Sequence, residues 1–157
     1  MGRPARGCAA TRAAAAGVAL AAAGAVAAGC GEDRPPLSPA CTEGAGAILR
    51  ALARAPGPVR LADGTRLSDC VTRAYGDGEL QSLGFSLTPA ADRLAAAPTP
   101  RSALQLGYLV GAIRRGAART NGVHVELVRR LEGTATFDAP ALVAAARRGI
   151  RAGERSG

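Results

Sequence analysis

Chemistry at a protein surface needs a base, a nucleophile, a set of metal ligands or a cradle for charge, and this chain has few candidates for any of them. His124 is the single histidine. Its acidic neighbour Glu126 lies two residues on, which puts the pair on different faces of a helix, so they do not meet locally. No G-x-S-x-G segment presents a nucleophile. His124 therefore reads as a partly exposed histidine at the surface or at the edge of the core. Asp69, Asp77 and Glu79 fall close together, but at cap and turn positions where acids occur for local reasons. Asp77-Gly78-Glu79 has too few oxygens for a calcium loop and lacks its closing glutamate. Gly44 and Gly46 sit inside a helical pattern, without the preceding strand or the lysine of a phosphate-binding loop. From these residues the expectation is no catalytic set, no metal and no cofactor.

Arginine is the one extended polar feature. All 20 basic residues are arginine, against 12 acids, for a formal charge of +8. The chain is also rich in alanine and glycine, a composition that coding bias produces, so the arginine excess points less firmly to a polyanionic partner than the charge suggests. Arg114, Arg115 and Arg119 fall on one helical segment, Arg129 and Arg130 on the next, and Arg147, Arg148 and Arg151 on the last. Side by side, these helices would gather Arg114, Arg115, Arg119, Arg147, Arg148 and Arg151 into one surface for phospholipid headgroups or acidic polymers. The alternative is solvated helix faces with no ligand. Tyr75, Tyr108, Phe85 and Phe137 are the only aromatic residues, and there is no tryptophan. Stacking platforms for bases need such rings, so nucleic acid is not an expected partner.

The first 29 residues read as an export signal. Arg3, Arg6 and Arg12 make a positive start, and residues 13–28 are uncharged and small or apolar. Ala27-Ala28-Gly29-Cys30 resembles the lipobox of bacterial lipoproteins, in which the cysteine becomes the lipid-bearing first residue. Small residues fit at Ala28 and Gly29, while Ala27 stands where that family most often has leucine. The resemblance covers only the signal and these four residues, and it implies lipid attachment at Cys30 and an extracytoplasmic protein anchored to the bacterial membrane. Ala25-Val26-Ala27 is also an ordinary cleavage site, which would give a freely secreted protein. Removal of residues 1–29 leaves 17 arginines against 12 acids, a charge of +5.

Cysteine arithmetic fits the lipid-bearing form. Cys8 leaves with the signal and Cys30 carries lipid, so Cys41 and Cys70 remain as an even pair in an oxidising compartment. Cleavage after Ala27 would leave three cysteines and one over. A Cys41–Cys70 bridge would close a loop of about 30 residues, worth roughly 3–4 kcal/mol. Two buried free thiols are the other reading.

These residues need elements to position them. Residues 30–37 are polar and proline-bearing, a tether ahead of a domain over 38–152. Ser38-Pro39 starts a helix whose inner face is Cys41, Ala45, Ile48 and Leu52, and Pro56-Gly57-Pro58 ends it. Alternation over 59–67 around Asp63-Gly64 predicts a short β-hairpin that delivers Cys70 towards the first helix. Ser68 would cap the next short helix, with Cys70, Val71 and Ala74 inward. Residues 79–87 read as a short helix and then a loop, followed by a separate helix over 90–97. The central helix spans 99–120, with Leu106, Leu109, Val110, Ile113 and Ala117 as its apolar face. On it Ala103, Gly107 and Gly111 recur every four residues. Glycine costs a helix about 1 kcal/mol relative to alanine, so this line predicts a second backbone packed close. The next helix is lined by Val123, Leu127, Val128 and Leu131 and ended by Gly133. Asp138 and Pro140 open a last helix, with Leu142, Val143, Ala146 and Ile150 inward, and residues 153–157 form a disordered tail. The expected fold is mainly α: one small bundle of five or six helices with one hairpin. The expected role is a non-enzymatic binding or cell-envelope structural domain whose partner is an envelope protein or an anionic polymer. An anion binder working through the arginines, and then an unrecognised enzyme, are the alternatives.

Overall fold

A computed structural model describes residues 35–157. The export signal expected over 1–29, the expected lipid attachment at Cys30 and the first part of the expected tether lie outside the described residues. Leu37, the last residue of the expected tether, packs partly buried against the core.

Among the described residues there are six α-helices and no strand. Ser38 opens the domain as expected, accepting the Ala40 N–H at 3.2 Å, but the element it caps is a 3-10 turn, Pro39–Thr42. Gly44, at φ +94°, then redirects the chain into α1, Ala45–Leu52. The turn still buries Cys41, and α1 buries Ile48 and Leu52.

The hairpin expected over 59–67 does not form. Asp63-Gly64 does turn, with Gly64 at φ +86°, and Leu61 N–H reaches the Thr65 carbonyl at 2.9 Å. The ladder goes no further, because Val59 N–H donates to the Tyr108 hydroxyl at 3.2 Å and Leu67 already begins α2, Leu67–Arg73. Alternating Val59, Leu61 and Leu67 are buried against helices instead. A two-stranded hairpin is marginal by itself, and helical partners for its apolar side chains outcompete it. Ser68 is not the cap of α2 but a buried member of it, donating to the Gly157 carbonyl.

The break expected near residue 87 is also absent: α3 runs unbroken over Asp77–Ala96. Leu83, Leu87, Ala90, Ala91 and Leu94 are buried at continuous helical spacing. That face outweighs Pro89, which withholds one N–H from the helix. Phe85, which reads as part of a strand alternation, points to solvent and is 70% exposed. The Glu79 carboxylate accepts the N–H groups of Tyr75 and Gly76 and so starts the helix where the sequence suggests a turn.

α4, Pro100–Ala117, is the central helix expected. Thr99 and Ser102 cap it reciprocally, Thr99 Oγ1 accepting the Ser102 N–H at 3.1 Å and Ser102 Oγ the Thr99 N–H at 2.8 Å. Leu106, Leu109, Val110 and Ile113 of its apolar face are buried, and Ala117 at its end is partly buried. The second backbone expected along Gly107 and Gly111 is that of α6, Pro140–Ser156. A Cβ at Gly107 would stand 2.1 Å from the Ala146 carbonyl oxygen, and one at Gly111 2.1 Å from that of Ile150. The reverse contacts match: a Cβ at Gly149 would meet the Leu104 carbonyl oxygen at 2.0 Å and one at Gly153 that of Tyr108 at 2.2 Å. Numbers rise together along both helices, so α4 and α6 run parallel, with α5, Val125–Thr134, on the return path. Gly133 lies inside α5 and does not end it, and Ala139 rather than Asp138 precedes α6.

The tail expected over 153–157 is in fact the last turn of α6. Gly153 is a seam residue and Gly157 sits against Ala112, so the domain continues to the final residue. Cys41 and Cys70 form a disulfide with Cα atoms 5.7 Å apart, both fully buried, joining the 3-10 turn to α2.

Candidate functional site

The sole histidine is placed differently from the expectation. His124 is 1% exposed and stands just before α5. Its Nε2 lies 2.9 Å from the Ala74 carbonyl, which can only accept, so this nitrogen carries a proton. Nδ1 lies 2.8 Å from the Thr120 hydroxyl, which is also 2.9 Å from the Ala117 carbonyl. Burial pushes the imidazole below its ordinary value of 6.5, against the opposing pull of the Ala74 carbonyl. Both nitrogens are thus occupied in joining the ends of α2 and α4 to the start of α5. The ring is a structural bracket. Only the long-range position of Ala74 reveals this, and no local pattern around residue 124 encodes it.

The carboxylates singled out in the sequence serve local structure. Asp69 pairs with Arg66 at 2.9 Å, Asp77 is the first residue of α3, and Glu79 holds its start. Asp63, on the turn, accepts from the Ser38 hydroxyl, from Thr65 N–H at 2.9 Å and from the Thr65 hydroxyl at 2.8 Å. These bonds, that of Ser38 foremost, hold its carboxyl down from 3.8 to about 2. The carboxylate therefore fastens the start of the domain to the 61–65 turn. Among the described residues no three His, Cys, Asp or Glu side chains converge as a metal site.

The arginines divide into two kinds. Arg114 bonds Glu132 of α5 at 2.6 Å and approaches Glu154 of α6 at 3.5 Å. Arg115 donates to the carbonyls of Glu154 and Arg155, satisfying the open end of α6. Arg114 thus holds α4 to α5 and α6, and Arg115 holds α4 to α6, with its Nε buried and without a hydrogen-bond partner among the described residues. Arg119 lies exposed past the far end of α4. Arg148 and Arg151 sit instead beside Leu104, some 20 Å back along that helix at 1.5 Å per residue. Arg147 is exposed on α6, on the flank towards Glu154. The six arginines considered together in the sequence therefore do not make one surface.

Two other groupings do. Arg148, Arg151 and Arg155 project from the outer face of α6 around a depression of about 240 Å³ that also touches Pro56, Leu104 and Ala152. Arg50, Arg54 and Arg60 border a second, of about 270 Å³, with Glu43, Leu61 and Ala62. None of these six arginines is in an ion pair among the described residues. Arg60 donates to the Gly64 carbonyl at 3.0 Å, which steadies it without neutralising it. Both depressions border the loop over residues 53–60, the first through Pro56 and the second through Arg54 and Arg60. Arg101 reaches the same loop from α4, donating to the Ala53 carbonyl. Sequence reasoning missed the Arg50, Arg54 and Arg60 group. Arg50 and Arg54, four residues apart, were visible as a helical pair, but Arg60 joins them only because the loop doubles back.

A more apolar depression of about 550 Å³ lies between α3 and α5, lined by Leu80, Phe85, Pro89, Leu127 and their neighbours. No helix among the described residues is long and apolar enough to cross a membrane. Comparison of the chain with protein-family models, with curated proteins and with solved structures finds no match.

Proposed function

We propose that this protein is an exported, lipid-anchored helical domain that works at the outer side of a bacterial membrane by binding rather than by catalysis. The observation that carries the reading is the buried Cys41–Cys70 disulfide. Such bonds persist in oxidising compartments and are rare in the cytosol. The Ala27-Ala28-Gly29-Cys30 motif supplies the anchor, and the eight residues from Cys30 to Ser38 hold the domain within about 27 Å of it even when fully extended. The non-enzymatic part is supported by His124, whose two nitrogens are engaged inside the fold.

The test is the intact mass of the mature protein exported by a bacterial host, before and after reduction and alkylation. The expected result is a diacylglycerol-sized adduct on Cys30, with Cys41 and Cys70 alkylated only after reduction. A mature chain that begins at Ala28 and carries no lipid would remove the anchor and leave a freely secreted protein with a spare thiol.

A further inference from the structure

We infer that the surface on both sides of the 53–60 loop docks on anionic phospholipid headgroups. It presents Arg50, Arg54 and Arg60 on one side and Arg148, Arg151 and Arg155 on the other. Placing this face at a membrane rests on the lipid-anchor reading; its chemistry rests on the geometry alone.

Charge is the first argument. Six guanidinium groups, none with a carboxylate partner among the described residues, line the two depressions; Glu43, beside Arg50, Arg54 and Arg60, is the one acid lining either. Each arginine near an anionic bilayer strengthens binding about fivefold, falling off within a Debye length. Guanidinium forks also match phosphate oxygens two at a time.

Position is the second. The chain enters the domain at Ser38, which bonds Asp63, and Ala62 beside it lines the depression of Arg50, Arg54 and Arg60. A tether rooted there and drawn towards a bilayer brings this end of the molecule down first. The remaining arginines near α5 are either paired with Glu126 and Glu132 or lie on other faces.

The third argument is the apolar surface between the charges. Pro56 is exposed at the loop, and Leu104 and Ala152 floor the depression on α6. Small apolar groups among arginines suit the boundary between headgroups and acyl chains. The exposed aromatic residues that a single-stranded nucleic acid would stack on, Tyr75 and Phe85, line other depressions.

The experiment uses the full chain with Cys30→Ala, exported and purified, so that no lipid contributes. Binding is measured to vesicles of phosphatidylcholine alone and of phosphatidylcholine mixed with phosphatidylglycerol. The expected result is binding to the mixed vesicles only, weakening as salt is raised. Arg50→Gln/Arg54→Gln/Arg60→Gln and Arg148→Gln/Arg151→Gln/Arg155→Gln each weaken it by roughly tenfold or more. The control Arg93→Gln/Arg119→Gln/Arg130→Gln removes the same charge elsewhere and weakens it by less than about threefold. Unchanged thermal melts show that the variants fold, and lysine at the same positions retains binding. Equal binding to both vesicle types, a control as damaging as the two test variants, or preference for inorganic polyphosphate over the vesicles would overturn the inference. Lipid on Cys30 is read separately from the mass of the unaltered protein, so failure of the anchor and failure of the surface are told apart.

Discussion

Between α4 and α6 the chain strips away side chains until two backbones touch, whereas between the 3-10 turn and α2 it adds a covalent bond. Both devices answer one shortage. With four aromatic residues and no tryptophan in 157 positions, large buried side chains are few. At the seam, Gly107, Gly111, Gly149 and Gly153 let helix backbones approach so closely that dispersion contacts and packing replace bulk. At the N-terminal segment the elements are short: four residues of 3-10 turn, eight of α1 and seven of α2. Elements of that length are unstable alone, and the Cys41–Cys70 bond limits the unfolded chain instead. One half is held by geometry in the folded state, the other largely by a constraint on the unfolded state.

The contrast can be broken most sharply at the seam. Gly107→Ala or Gly149→Ala puts a Cβ about 2 Å from a carbonyl oxygen of the facing helix, so the helices must separate. Each is expected to destabilise the domain by about 4 kcal/mol in chemical denaturation, despite the gain in helix propensity. Gly133→Ala, inside α5 with open space around it, should do the reverse and stabilise by about 1 kcal/mol. A similar loss at both positions would mean that the glycine line is incidental.

Removing the covalent device should cost somewhat less. Cys41→Ala/Cys70→Ala is expected to lower stability by about 3 kcal/mol, and reduction of the unaltered protein should reproduce the loss. Because the bond acts on the unfolded chain, hydrogen exchange in the seam of the oxidised and reduced proteins should differ only through global opening. Faster local exchange along α4 on reduction would show that the two devices are coupled in the folded state.

The smallest effect concerns the bracket that joins the two regions. The folded-state pKa of His124 lies below its unfolded value of 6.5, so the unfolded chain binds the proton first as pH falls. Its contribution is therefore complete above 6.5 and declines as pH drops below it towards the folded value. Denaturation midpoints of the unaltered protein should fall between pH 7 and mildly acidic pH, and His124→Gln should flatten that interval. An unchanged slope in the variant would assign the pH response to other groups.

The range of each interaction decided how much of this was legible beforehand. The Thr99 cap, the Ser38 cap and the apolar face of α4 are decided by neighbours within a few residues, and all appear where expected. The line of Gly107 and Gly111 disclosed that a backbone would lie there. Its complement, Gly149, Gly153 and Gly157, was present at the same four-residue spacing and would have named α6 as the partner and ruled out a loose tail. The candidate site was less legible. Arg114 and Arg115 look like part of a basic patch until Glu132, Glu154 and the end of α6 are brought beside them. Arg60 and Pro56 acquire their neighbours only from the path of a loop.

The amino-acid sequence by itself determined the helical class, the central helix, the caps at Ser38 and Thr99 and the pair of cysteines that meet, because each depends on local periodicity, local hydrogen bonding or residue number. The tertiary structure alone decided that 59–66 is a loop, that α3 passes through Pro89, that His124 is buried and which arginines stay unpaired. In each case the deciding partner lies far along the chain, and its burial energy or charge outweighs a local preference of about 1 kcal/mol.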